Sequence, residues 1–109
     1  MNKKDRNIIL ELKKRLPNTV RDHIRKVIVF GSRVRGEGSE DSDLDLLILV
    51  DQKVPELENK IEDAAYQVMW DHDFQPVLSI KLFTESGYLN LVKEGFSFYK
   101  NIEREGVTL

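Results

Sequence analysis

Residues 44–50, LDLLILV, set the first limit on what this chain can become. A short run with one polar residue reads as a strand. Its apolar side chains alternate onto both sides of the backbone, so both faces of the sheet that holds it need a cover. Residues 26–30, KVIVF, suit a second buried strand through their length and β-branched content. Residues 76–83, PVLSIKLF, read as a third, with Pro76 at its start where a missing amide donor does least harm.

The remaining segments supply the covers. Ile8, Ile9, Leu12 and Leu16 recur at helical spacing over residues 5–16, with Asp5 as the expected N-cap and Pro17-Asn18 as the stop. A short helical turn is expected over residues 20–25. Leu57, Ile61, Ala64, Ala65, Val68 and Met69 predict the longest helix, from Pro55 to about Asp71. Thr84 reads as the N-cap of a helix through Tyr88, Leu89 and Val92 that stops at Gly95, and a last helix over residues 98–105 ends at Gly106. The order α-β-turn-β-α-β-α-α predicts an α+β fold, a mixed α/β sandwich with a small mixed sheet and flanking helices, in one domain over residues 1–109.

Composition narrows the functions. With 40% apolar and 33% charged residues the chain is expected to fold. The absence of cysteine excludes disulfides, thiolate zinc sites and cysteine nucleophiles, and agrees with a cytoplasmic location. The charged opening MNKKDRNIILELKKRL lacks the apolar centre of a secretion signal, and no stretch approaches the roughly 20 apolar residues of a membrane span, so no membrane role is expected. Residues 1–36 carry 11 Lys/Arg against 3 Asp/Glu, and the rest carry 6 against 16. A basic segment leading into a Gly-Ser turn suits a phosphate-bearing ligand, although such charges more commonly solvate helix faces.

The chemistry concentrates between the first two strands. Gly31 allows a sharp turn, Ser32 adds a hydroxyl and an amide, and both can cradle phosphate oxygens if residues 32–36 begin a helical turn. Arg33 and Arg35 add permanent positive charge. Beyond the loop 37–42, Asp43 and Asp45 stand two apart, so their carboxylates project to one side of a strand. Taken alone, such a pair commonly just solvates a strand entrance. Their mutual repulsion is otherwise relieved by a cation, and oxygen-only ligands select Mg²⁺ or Mn²⁺.

Gly31-Ser32 followed after ten residues by Asp43-x-Asp45, within the string FGSRVRGEGSEDSDLDLLILV, resembles the signature of the nucleotidyltransferase superfamily typified by DNA polymerase beta. The small stand-alone branch called minimal nucleotidyltransferases is the most similar. The resemblance spans nearly the whole chain in length and element order, with a weaker echo in the closing FYKNIEREGV. It implies a metal-dependent transfer of a nucleoside monophosphate from a nucleoside triphosphate to a hydroxyl, with ATP as substrate and Mg²⁺ or Mn²⁺ as cofactor. By the same resemblance, Gly31 and Ser32 hold triphosphate, Arg35 and Gly36 match the Arg-Gly that often follows, and Asp43 and Asp45 hold metal and carry catalysis. Ser42 is expected to tie down the loop before Asp43. The branch often occurs as the antitoxin of two-gene toxin–antitoxin pairs, beside a helical HEPN-domain protein, and some members transfer AMP onto that partner. This implies an adenylyltransferase antitoxin whose acceptor is a HEPN-domain toxin. Self-association is left open.

One part of the pattern is missing. Active members usually add a third carboxylate from a later strand, whereas residues 76–83 contain no Asp or Glu and carry Ser79 at their centre, a poor Mg²⁺ ligand and a weak base. Asp71, Asp73 and Glu85 flank this strand but are expected to cap or face solvent. The gap keeps a second reading alive, a non-catalytic module that binds nucleotide or partner and neutralises the partner by contact. Transfer to a small molecule is a third, with no acceptor-binding segment to support it.

Other residues carry less. His23 and His72 lack ligand-spaced neighbours and are expected at the surface. Trp70 and Phe74 are expected in the core rather than stacked on a base, and Phe96, Phe98 and Tyr99 in the core or on a partner surface. There is no Ser-His-Asp order and no Walker-type loop. A pI near 5.7 without an aromatic-basic motif argues against nucleic acid as the main partner.

Overall fold

A computed structural model, which describes residues 1–39 and 41–109, places residues 44–50 inside a four-stranded mixed sheet. The order of elements is α1 (Lys3–Arg15), α2 (Asn18–Arg21), β1 (Ile24–Phe30), α3 (Ser32–Arg35), β2 (Leu44–Val50), α4 (Pro55–Asp71), β3 (Leu78–Thr84), α5 (Glu85–Lys93), α6 (Ser97–Glu105) and β4 (Val107–Thr108). The sheet order is β3-β2-β1-β4. β1 runs antiparallel to β2 and β4, and β2 runs parallel to β3 with α4 as the crossover such a pair requires. Among the described residues, no helix is long and apolar enough to cross a membrane.

β2 meets the demand its sequence makes. Leu44, Leu46, Ile48 and Val50 enter the main core beneath α1 and α4, where Ile9, Leu12, Ile61 and Val68 close over them. Leu47 and Leu49 point to the opposite face and pack with Ile28 under Tyr88 of α5 and Ile102 of α6. Burial of each such aliphatic side chain is worth about 1.5–3 kcal/mol. Asp45 shares this second face, because it alternates with Leu47, and it lies beyond the part that Tyr88 and Ile102 cover.

Several expected boundaries move. β1 begins at Ile24 rather than Lys26, the helical turn before it is limited to α2, and the third strand runs from Leu78 rather than Pro76. β4 was not expected, since two residues are too few to show alternation. Thr84 caps α5 by accepting from the Gly87 amide at 3.1 Å, as expected. Trp70 is corrected: it is 66% exposed, stacked on Tyr66 and edge-on to Phe74. The buried stripe of α4 is Leu57-Ile61-Ala64-Ala65-Val68, and positions 66 and 70 lie on the other side of that helix.

The expected N-cap is also corrected. Asn2 caps α1, its Oδ1 accepting from the Asp5 amide at 2.7 Å, so Asp5 is the third residue inside the helix. Its side chain, only 1% exposed, accepts from Arg33 Nε and Nη2 at 2.9 Å each. Two-point geometry makes this a strong charge-assisted pair, and removal of one partner strands the other in a place water does not reach. Asp5→Ala and Arg33→Met are each expected to lower unfolding free energy by about 3–5 kcal/mol, and the double substitution by much less than the sum. Urea unfolding of the three variants measures this; additive losses would contradict it.

Candidate functional site

β1 delivers the chain to Gly31 at the edge of the open sheet face. There the backbone turns with φ +90°, a conformation glycine accepts readily. The antiparallel register sets Phe30 opposite Asp45, so the turn closes directly onto that carboxylate. A Cβ at position 31 would overlap Asp45 Oδ2. The contact explains why glycine stands at this position and why the Gly-Ser pair and the second aspartate are parts of one site although 14 positions separate Gly31 from Asp45.

Ser32 opens the single turn of α3, which Gly36 ends in the left-handed conformation at φ +75°. The Glu37 and Gly38 amides donate to Ser32 O at 3.0 and 3.1 Å, folding the following loop back over the turn. Ser42 ties that loop down as expected, its hydroxyl donating to Ser39 O at 2.7 Å. Arg33 completes the arrangement. Besides holding Asp5, its Nη1 donates to Ser39 O at 3.2 Å and Ser42 O at 3.0 Å. Arg33 was expected to add charge beside a phosphate; its guanidinium instead couples α1 to the loop that delivers Asp43, and it does not line the cavity. Gly36 likewise shapes the chain rather than lining the cavity.

A cavity of about 340 Å³ opens beside the turn. Gly31, Ser32, Val34, Arg35 and Asp45 form one wall, and Phe98, Asn101, Ile102 and Glu105 of α6 form the other. Arg35 donates to Glu37 at 3.0 Å and approaches Glu105 to 3.8 Å, so it joins α3 to α6. Asp43 is exposed just outside β2, and Asp45 is half-buried. Burial raises the Asp45 pKa above the usual carboxylate range, the Asp43 charge raises it further, and Lys81 opposes them. A half-buried carboxylate whose ionisation a neighbouring carboxylate disfavours, with only oxygen donors in the pair, fits a hard divalent cation.

The flanking acids do not join them. Asp71 pairs with Arg15 at 2.6 Å, and Asp73 is exposed in the turn after α4. Glu85 follows β3 at its far end, about 20 Å along the strand from Ser79. Among the described residues, no group of three or more His, Cys, Asp or Glu side chains is placed to hold a metal. The parallel register puts Ser79 beside Asp45 and Lys81 beside Leu47, so both β3 side chains share the aspartates' face. Lys81 was missed from sequence; its place two residues after Ser79 on a strand was the available signal. Asn101 and Glu105 were missed as well, because a helix face carries no such marker until its neighbour is known. The histidines pair at the surface as expected, His23 with Asp51 and His72 with Glu11.

The sequence model of the family described as "Nucleotidyltransferase domain" matches residues 6–105. Two proteins of Methanocaldococcus jannaschii are similar over nearly their whole length. "Putative protein adenylyltransferase MJ0141" is 35% identical over 92% of this chain and 93% of its own, and "Putative protein adenylyltransferase MJ0604" is 31% identical over 93% of each. No solved structure matches significantly.

Two outcomes follow from the geometry. Gly31→Ala is expected to cost about 1–3 kcal/mol, from the positive φ and from displacement of Asp45, read as a lower unfolding midpoint. Asp45→Asn is expected to raise the melting temperature of the metal-free protein at neutral pH. The folded pKa of Asp45 lies above its unfolded value, so the wild type loses stability as pH rises through that pKa and regains it in acid. The advantage of the variant therefore shrinks as pH falls from the folded pKa toward the unfolded value of about 4, and is nearly gone below it. A constant difference from pH 3 to 8 would contradict the assignment.

Proposed function

The chain belongs to the nucleotidyltransferase domain family, and from that premise we propose that this minimal nucleotidyltransferase transfers AMP from ATP to a hydroxyl of a partner protein. The observation that carries the reading is the closure of the Gly31 turn onto Asp45, which sets a phosphate cradle against an acidic pair in one cleft. Gly31 and Ser32 hold the triphosphate through amides and a hydroxyl, with Arg35 turning from Glu37 and Glu105 toward its charge. Asp43 and Asp45 hold Mg²⁺ or Mn²⁺, which when bound offsets phosphate charge in an in-line displacement. The acceptor oxygen bonds to the α-phosphorus, the bond to the β-phosphate breaks, pyrophosphate leaves, and the hydroxyl proton passes to water.

Adenylyl transfer takes its support from the names of the two archaeal relatives. A protein acceptor fits the open side of the site, where Ser79 and Lys81 lie on an uncovered sheet face. A HEPN-domain toxin is the proposed partner, which makes the chain an antitoxin working in the cytoplasm. One observation favours the second reading, binding without turnover: the neighbours of the aspartates on β3 are a serine and a lysine in place of a third acid.

Calorimetric titration of ATP with Mg²⁺ tests the reading, followed by mass spectrometry of the protein mixed with a HEPN-domain partner. Mg²⁺-dependent binding that weakens more than about tenfold in Asp43→Asn/Asp45→Asn, with an AMP adduct on the partner, is expected. Binding without an adduct selects the second reading, and absence of ATP binding overturns the transferase and leaves only neutralisation of the partner by contact.

A further inference from the structure

The wall opposite the Gly-Ser turn contains an exposed ring. Phe98, near the start of α6, is 45% exposed although it borders the cavity. It is held in place by two edge-on contacts, to Phe30 at 5.8 Å and to Tyr99 at 5.1 Å, with interplanar angles of 89° and 87°. Tyr99 in turn packs on Phe83 and Tyr88, so Phe98 is the exposed end of an aromatic cluster rooted in the second core. Phe30, the other ring that lines the cavity, is half-buried and occupied by Phe98.

Asn101 stands one turn after Phe98 on the same side of α6. Its Oδ1 accepts from Arg104 at 2.9 Å, which orients the amide and leaves its NH₂ as the donor. At the other end of the helix Glu105 faces Arg35. From the ring to this charged end, α6 rises about 10 Å. The cavity thus has an apolar, aromatic end and a charged end, the polarity of a molecule with a flat ring system on a chain of phosphates.

Resting on the triphosphate reading above, we infer that α6 forms the nucleoside subsite: a nucleobase lies on the exposed face of Phe98, and Asn101 donates to an acceptor atom of the base or sugar. Among the described residues that line the cavity, the rings are Phe30 and Phe98. Stacking reads the face of a base rather than its edge, so discrimination among bases is weak, with larger purines favoured over pyrimidines.

The test compares Mg²⁺-dependent binding of ATP and of inorganic tripolyphosphate, which has the phosphates without the nucleoside. Phe98→Ala is expected to weaken ATP binding roughly ten- to hundredfold and Asn101→Ala roughly three- to tenfold, both with tripolyphosphate affinity within about twofold of wild type. Phe98→Tyr preserves a ring and is expected to retain ATP binding, which separates stacking from loss of the fold. ATP affinity unchanged in Phe98→Ala, or tripolyphosphate weakened as much as ATP, would overturn the subsite. Failure of the wild type to bind either ligand would instead remove the triphosphate reading, and this inference with it.

Discussion

The bidentate pair between Arg33 and Asp5 is the constraint on which the site depends. Both side chains leave water almost completely, and a buried guanidinium is tolerated only where its donors are satisfied. Asp5 takes two of them, and the carbonyls of Ser39 and Ser42 take another. One cation thereby couples the first helix, the Gly-Ser turn and the loop that leads to Asp43. The loop is rich in glycine and serine and has no apolar side chain to bury, so its ordering depends on these polar bonds. Local structure at the turn is thus set by a contact 28 positions away in sequence.

β2 then divides the labour between core and chemistry. One face is wholly aliphatic and sits against α1 and α4, which gives the strand a rigid seat. The other is aliphatic only where α5 and α6 cover it and acidic where they stop. Asp45 consequently sits on the edge of a dry region, and its raised pKa is the electrostatic expression of that position. In the proposed function, a cation bound there would relieve a cost already present in the fold.

Much of this was legible in the sequence. The strands and long helices were readable because apolar spacing and capping residues are local signals, and α4 and β2 begin and end where those signals place them. The Gly-Ser turn and the aspartate pair were readable as a motif, and their spatial union follows from an antiparallel register between adjacent strands. The role of Arg33 was not legible: an arginine beside a Gly-Ser turn looks the same whether it serves a ligand or a buried acid, and only the packing of α1 decides. Asp5 misled for the same reason, since an acid near a helix start resembles a cap until its partner is seen. Trp70 was misplaced because its chemistry suits a core, while its angular position on α4 does not. The contribution of α6 was hidden because its cavity face faces an element some 70 positions earlier.

At the centre of the proposed function, the cleft between Gly31 and the entrance of β2 takes a triphosphate together with a divalent cation. Diffraction from crystals grown with Mn²⁺ and a non-hydrolysable ATP analogue, recorded at the manganese absorption edge, tests it most directly. The predicted result is an anomalous peak between the carboxylates of Asp43 and Asp45, with phosphate density against Gly31 and Ser32. Manganese or nucleotide bound elsewhere, with those two aspartates facing only water, would contradict it.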